Sequence, residues 1–93
     1  MKYEIKMQKE YRKSRKLCKK RGLNMALLDY VVFQLANGEQ LEPKYNDHKL
    51  NNSKKYMNCR ECHIEPDWLL IYKIENDKLI LTLTDTGTHS DLF

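Results

Sequence analysis

The stretch Trp68-Leu69-Leu70-Ile71-Tyr72-Lys73-Ile74 is nearly all apolar and is bounded by the turn signals Pro66-Asp67 and Asn76-Asp77. It falls far below the ~20 residues a membrane helix needs. A run this short and this apolar predicts a central strand covered on both faces. A central strand requires partners on each side. Arg60 to Glu65 alternates before it, and Lys78 to Thr84 follows with Leu79, Leu81 and Leu83 in phase. Three strands in an antiparallel meander are the expectation.

The N-terminal half has a different period. Residues 3–7 alternate, which predicts a short strand with Tyr3, Ile5 and Met7 on one face. Residues 8–21 predict a helix whose narrow apolar stripe is Tyr11, Ser14 and Cys18, with Leu17 beside it, ended by Gly22 as the C′ residue. Asn24 is placed to cap a second helix, 25–37, which buries Leu28, Val31, Val32 and Leu35 before Gly38. So short a connection predicts an antiparallel helical hairpin. Residues 39–58 carry Pro43 and four asparagines without a regular pattern, and read as a long functional or mobile loop. The order β-α-α-β-β-β predicts one α+β domain over residues 1–93, an antiparallel β-sheet packed on the helical hairpin.

A chain of 93 residues buries only about 60–65% of its unfolded surface, enough for one core. Three cysteines and a start without a long apolar segment fit a reducing cytoplasm, with no disulfide and no membrane span. The net charge is +4, and residues 9–21 hold eight basic side chains against one acid, Glu10. This band predicts an anionic partner: RNA, an acidic protein or a lipid surface. A solvated face that only aids solubility is its rival.

Each of the three histidines lies in a polar cluster, as Asp47-His48, Cys62-His63-Ile64-Glu65-Pro66-Asp67 and Thr88-His89-Ser90-Asp91. Cys59-x-x-Cys62 invites a zinc reading. Residues three apart on a strand point to opposite faces, however, so Cys62 is expected in the core and Cys59 at a loop edge. The same alternation separates Cys62 from His63 and disfavours a cysteine nucleophile. The remaining candidate is a histidine cluster on the open sheet face. His63 and Asp67 flank a turn, the meander brings His89 near, and the loop can fold His48 over the same surface. Metal-free RNA scission needs this equipment: a base for the 2′-hydroxyl, an acid for the 5′-oxygen and a cation for the phosphorane. Trp68 is expected half-buried with its indole edge at the rim. The terminal Phe93 either stacks on a base or anchors the tail.

In the blocks Tyr45-Asn46-Asp47-His48, Arg60 through Tyr72, and Thr86-Gly87-Thr88-His89-Ser90-Asp91-Leu92-Phe93, the chain resembles the YafQ branch of the RelE/ParE toxin superfamily. The resemblance implies a RelE-like fold and a metal- and cofactor-independent endoribonuclease that cuts mRNA on the ribosome. It implies a toxin that is a monomer alone and a hetero-oligomer with a cognate antitoxin, and charge predicts that the antitoxin segment is acidic. Carried over position by position, His48, His63, Asp67 and His89 are the catalytic candidates. His48 and His63 would flank the phosphate, Asp67 would act as base or orient a histidine, and His89 would be the general acid. Trp68, Phe93 and Arg60 are RNA-binding candidates, with Lys9, Arg12, Lys13, Lys16 and Lys20 of the first helix gripping ribosomal RNA.

Two departures stand out. Asp85 occupies a position where the family usually has arginine, which would remove a phosphate clamp and add repulsion. The loop before Arg60 is slightly longer than usual and has Tyr56, Asn58 and Cys59 where the family has tryptophan and glycine-tyrosine. These departures keep open a non-catalytic RNA- or partner-binding module. A ParE-like gyrase inhibitor on the same fold is the further alternative, disfavoured by the histidine set.

Overall fold

The computed structural model describes all 93 residues. Its elements are β1 (Glu4–Met7), α1 (Lys9–Lys20), α2 (Met25–Ala36), a 3-10 turn (Pro43–Tyr45), β2 (His48–Lys49), β3 (Arg60–Glu65), β4 (Trp68–Glu75), β5 (Ile80–Gly87) and α3 (His89–Leu92). They form one five-stranded sheet in the order β1-β5-β4-β3-β2. The expected meander is present as β3-β4-β5, antiparallel throughout.

The sheet is mixed rather than wholly antiparallel, because β1 pairs parallel to β5 with Ile5 opposite Leu81. Parallel neighbours need a long crossover, and here everything between β1 and β5 supplies it. The loop 39–58 is also more ordered than its composition suggests. It contains the 3-10 turn and the two-residue strand β2, which pairs with β3.

Local signals account for the helices. The Asn24 side chain accepts from the Ala26 N–H at 3.0 Å, and so caps α2. At the end of α1, Gly22 takes φ +87°. Its N–H reaches the Lys19 carbonyl and that of Leu23 the Cys18 carbonyl, a Schellman closure. The helices pack on the sheet, and Arg15 joins Asp29 at 2.9 Å to tie α1 to α2. Leu17, expected beside the buried stripe, is exposed, as is Met7.

Strand β4 is covered twice over its first half. Trp68, Leu70 and Tyr72 join Tyr11, Cys18, Leu28, Val31 and Cys62 in the main core. Leu69 and Ile71 point the other way, into a second cluster with Tyr56, Cys59 and Leu92. That cluster is the loop and α3 folded over the open face. Cys59 is therefore buried between them rather than at a loop edge. Beyond Ile71 the same face carries Lys73 and Glu75, and no cluster covers it. Strand β5 begins later than expected: Leu79 takes φ +53° in the turn and is exposed, leaving only Leu81 and Leu83 in the core.

Candidate active site

Two bulges interrupt the sheet, one beside His63 and one midway along β5. In β3 the register slips between His63 and Glu65, and across β5 it slips opposite Ile71/Tyr72, leaving Thr84 unpaired. Bulges bend a strand and re-aim its side chains, and they gather beside functional sites.

The three rings converge. His63 lies centrally, 6.3 Å from His48 and 5.9 Å from His89 between ring centroids. Each ring is held differently. His89 Nδ1 is 2.9 Å from Asp67 Oδ1, which also accepts the His89 backbone N–H at 3.1 Å. These two bonds hold the Asp67 carboxyl below its ordinary range, the side-chain bond from His89 contributing most. With Nδ1–H donating to a carboxylate, His89 presents Nε2 outward. His48 Nδ1 lies 2.8 Å from the Asn46 carbonyl, which the left-handed Asn46 (φ +45°) turns toward it. Its Nε2 is outward too.

His63 is engaged at both nitrogens, by the Pro66 carbonyl at 3.2 Å and by Glu61 Oε1 at 3.3 Å. Both partners present oxygen acceptors, one a carbonyl and one a carboxylate. Glu61 is 5% exposed and belongs to the site, although sequence reasoning did not select it. Its signal was the alternation that places it on the face of His63.

Asp67 and Phe93 join the cluster. Phe93 is 60% exposed, lies 6.5 Å from His89 and meets Tyr56 edge-on at 5.6 Å. One edge is thus anchored while most of the ring is open. Trp68 does not join. It is 2% exposed, and its Nε1–H donates to Thr86 Oγ1 at 3.0 Å. The expectation that Trp68 touches RNA from the rim is corrected: the β3 bulge and the helix layer enclose it. Arg60 does not join either. It reaches Asp47 at 3.2 Å and Tyr72 Oη at 3.3 Å on the opposite face, as its alternation with Cys62 and Ile64 requires.

Asp85 departs furthest from expectation. It is 6% exposed and accepts from Ser14 Oγ at 2.6 Å, Tyr56 Oη at 2.8 Å and the Thr86 N–H at 2.9 Å. It latches α1 and the loop to β5, and does not face a substrate phosphate. Burial and the Asp85 bond push the Tyr56 hydroxyl well above its ordinary range.

Lys9, Arg12, Lys13, Lys16 and Lys20 are all exposed on α1. Lys9, Lys13, Lys16 and Lys20 form one stripe, opposite Tyr11 and Cys18. The helix end adjoins the site through Arg21, whose guanidinium donates to Asp91 of α3 at 2.7 Å. A hollow of about 420 Å³ opens beside His63, lined among others by Leu27, Lys44, Tyr45, Asn46 and Pro66.

Comparison with known proteins supports the same region of function. Residues 3–93 match the family model described as "Bacterial toxin of type II toxin-antitoxin system, YafQ". The chain is 43% identical over 91 residues to the mRNA interferase toxin YafQ of Escherichia coli (strain K12), covering 97% of this chain and 95% of the relative. Its fold is similar to a chain of the E. coli DinJ–YafQ complex, with TM-score 0.87 and 37% identity over 98% of both chains. It is also similar to a metal-bound toxin from Helicobacter pylori, with TM-score 0.89 and 41% identity over 100% of both. In the present chain no three His, Cys, Asp or Glu side chains gather where they could hold a metal ion, and both nitrogens of His63 are taken.

Proposed function

The chain belongs to the YafQ family of toxins from type II toxin–antitoxin systems, and from that premise we propose that it is an mRNA interferase that cuts translated mRNA by acid–base catalysis among its histidines. The observation that carries the mechanism is the convergence of His48, His63 and His89, with two of the rings tied at Nδ1 and turned outward at Nε2.

In the step this supports, His48 Nε2 takes the 2′-hydroxyl proton and the 2′-oxygen attacks phosphorus. The P–O5′ bond breaks as His89, entering the step as an imidazolium whose Nδ1–H stays on Asp67, gives its Nε2 proton to the leaving 5′-oxygen. The products are a 2′,3′-cyclic phosphate and a 5′-hydroxyl end. Asp67 orients His89 rather than acting as base, since its carboxylate already accepts two N–H bonds. His63, held by Glu61 and the Pro66 carbonyl, lies between the other two rings and flanks the phosphate. Phe93 offers a ring face to a neighbouring base. The α1 stripe holds ribosomal phosphates, and the ribosome supplies the orientation of the message. A cognate antitoxin with an acidic segment would silence the toxin by covering this surface. The non-catalytic alternative leaned on Asp85, and loses force because Asp85 is occupied inside the fold.

The test is cleavage of mRNA on ribosomes, with RNA ends mapped. Each proton-transfer group is worth about 10²–10⁴-fold, so His89→Ala and His48→Ala should each slow cutting by at least about a hundredfold. Chelation should leave the rate unchanged. Variants that cut like the parent would end the proposal, and growth arrest without new RNA ends would select the blocking module.

A further inference from the structure

A second hollow, of about 330 Å³, lies on the open face of the sheet at the end away from the histidines. Its lining includes four lysines, Lys6, Lys55, Lys73 and Lys78, and one acid, Glu75. We propose that this hollow binds the phosphodiester backbone of an RNA strand, as a contact separate from both α1 and the histidines. The proposal deepens the function above and rests on it for the choice of RNA.

Three observations carry it. The first is charge. Glu75 lies 3.9 Å from Lys73 and 3.6 Å from Lys78, while Lys6 and Lys55 have no carboxylate within ion-pair distance. Four ammonium groups around one depression repel each other, and an anion placed among them relieves that repulsion. The second is the lining. Gln8, Thr82 and Thr84 add neutral donors, and no aromatic ring lines the hollow. Donors without a stacking surface suit a phosphate rather than a base, and backbone rather than sequence.

The third is placement. The uncovered half of β4, where Lys73 and Glu75 follow Leu69 and Ile71 on the same face, forms part of the lining. From Gly87 to Thr82 the β5 strand spans about 16 Å at ~3.3 Å per residue. A single strand leaving the histidines can therefore reach the hollow by passing over the loop and α3 that cover the first half of this face. Lys55 is held in position, lying 5.2 Å over the Tyr56 ring, which Asp85 fixes. Gln8 adjoins the first residue of α1, so the hollow extends the basic stripe around the sheet.

The experiment compares Lys6→Gln/Lys55→Gln/Lys73→Gln with a charge-matched control, Lys2→Gln/Lys49→Gln/Lys54→Gln, both in the full chain carrying His89→Ala to prevent cutting. Affinity is measured against potassium chloride for a single-stranded RNA oligonucleotide and for ribosomes. Each phosphate contact contributes about 0.7 to the slope of log affinity on log salt, so the first triple should flatten the slope by about 2 and the control should not. Flattening on the oligonucleotide assigns the hollow to message, and flattening on ribosomes alone to ribosomal RNA. Equal loss in both triples reduces the effect to net charge and overturns the proposal. So does an unchanged slope, or weakened antitoxin binding with RNA affinity intact. Unchanged binding beside normal cutting by the His89-bearing lysine variant would sink the hollow while leaving the nuclease function standing.

Discussion

His63 and Asp85 show how a residue's neighbours decide its work. His63 takes two acceptors and is fixed in place, beside two rings with a free Nε2. Asp85 takes three donors and becomes a latch. Restoring the family's usual residue should not restore a clamp. Asp85→Arg would force a cation into a nearly closed site and strand Ser14 and Tyr56. It should cost about 3 kcal/mol and lower Tm by more than about 10 °C, with no gain in cutting. Tyr56→Phe removes one of the three donors and should cost about 1–2 kcal/mol. Calorimetry on both variants is the check, and an Asp85→Arg protein as stable as the parent would contradict the latch. The pairing of His63 with Glu61 was within reach of simple alternation. The burial of Trp68 was not, because the lone indole at a strand start looks the same whether a helix covers it or not.

Among the elements, α3 is the least self-sufficient. It has four residues, His89–Leu92, too few to hold a helix by propensity. Three supports replace length. Thr88 and Asp91 form a capping box, Arg21 donates to Asp91, and Leu92 is buried in the second cluster. Gly87 fits here because a Cβ at that position would stand 3.0 Å from Asp91. The Arg21 bond, then the Thr88 N–H, lower the Asp91 carboxyl to about 2. A depressed carboxyl stabilises the fold above its unfolded value, near 4, and that contribution disappears as pH falls through about 2. Backbone NMR shifts of residues 88–93 should therefore hold to about pH 4 and move below it. Arg21→Gln should bring that movement to higher pH, and shifts that ignore Arg21 would contradict the coupling. Strands β3 and β4 and both long helices were legible in sequence, since alternation, caps and glycines are local. The strand β2 was not, because two residues carry no period and only pairing with β3 makes them a strand.

At the scale of the whole molecule, charge is sorted by surface. The helix stripe of Lys9, Lys13, Lys16 and Lys20 faces away from the core, and Arg21 links its end to the element bearing His89. Four such contacts contribute about 3 to the slope with which log affinity for ribosomes falls on log salt. Titration across potassium chloride measures it, and a flat response would remove the stripe from binding. No helix is long and apolar enough to cross a membrane. By itself the sequence determined the α+β class, the doubly covered strand, the basic stripe and the set of chemical groups, because each follows from residue type and short-range period. Only the tertiary structure decided that β1 joins β5 in parallel, that Asp85 turns inward, and that three distant imidazoles meet. Those outcomes depend on which strand lies beside which and where a bulge shifts the register, and contacts between residues dozens of positions apart leave no local pattern to read.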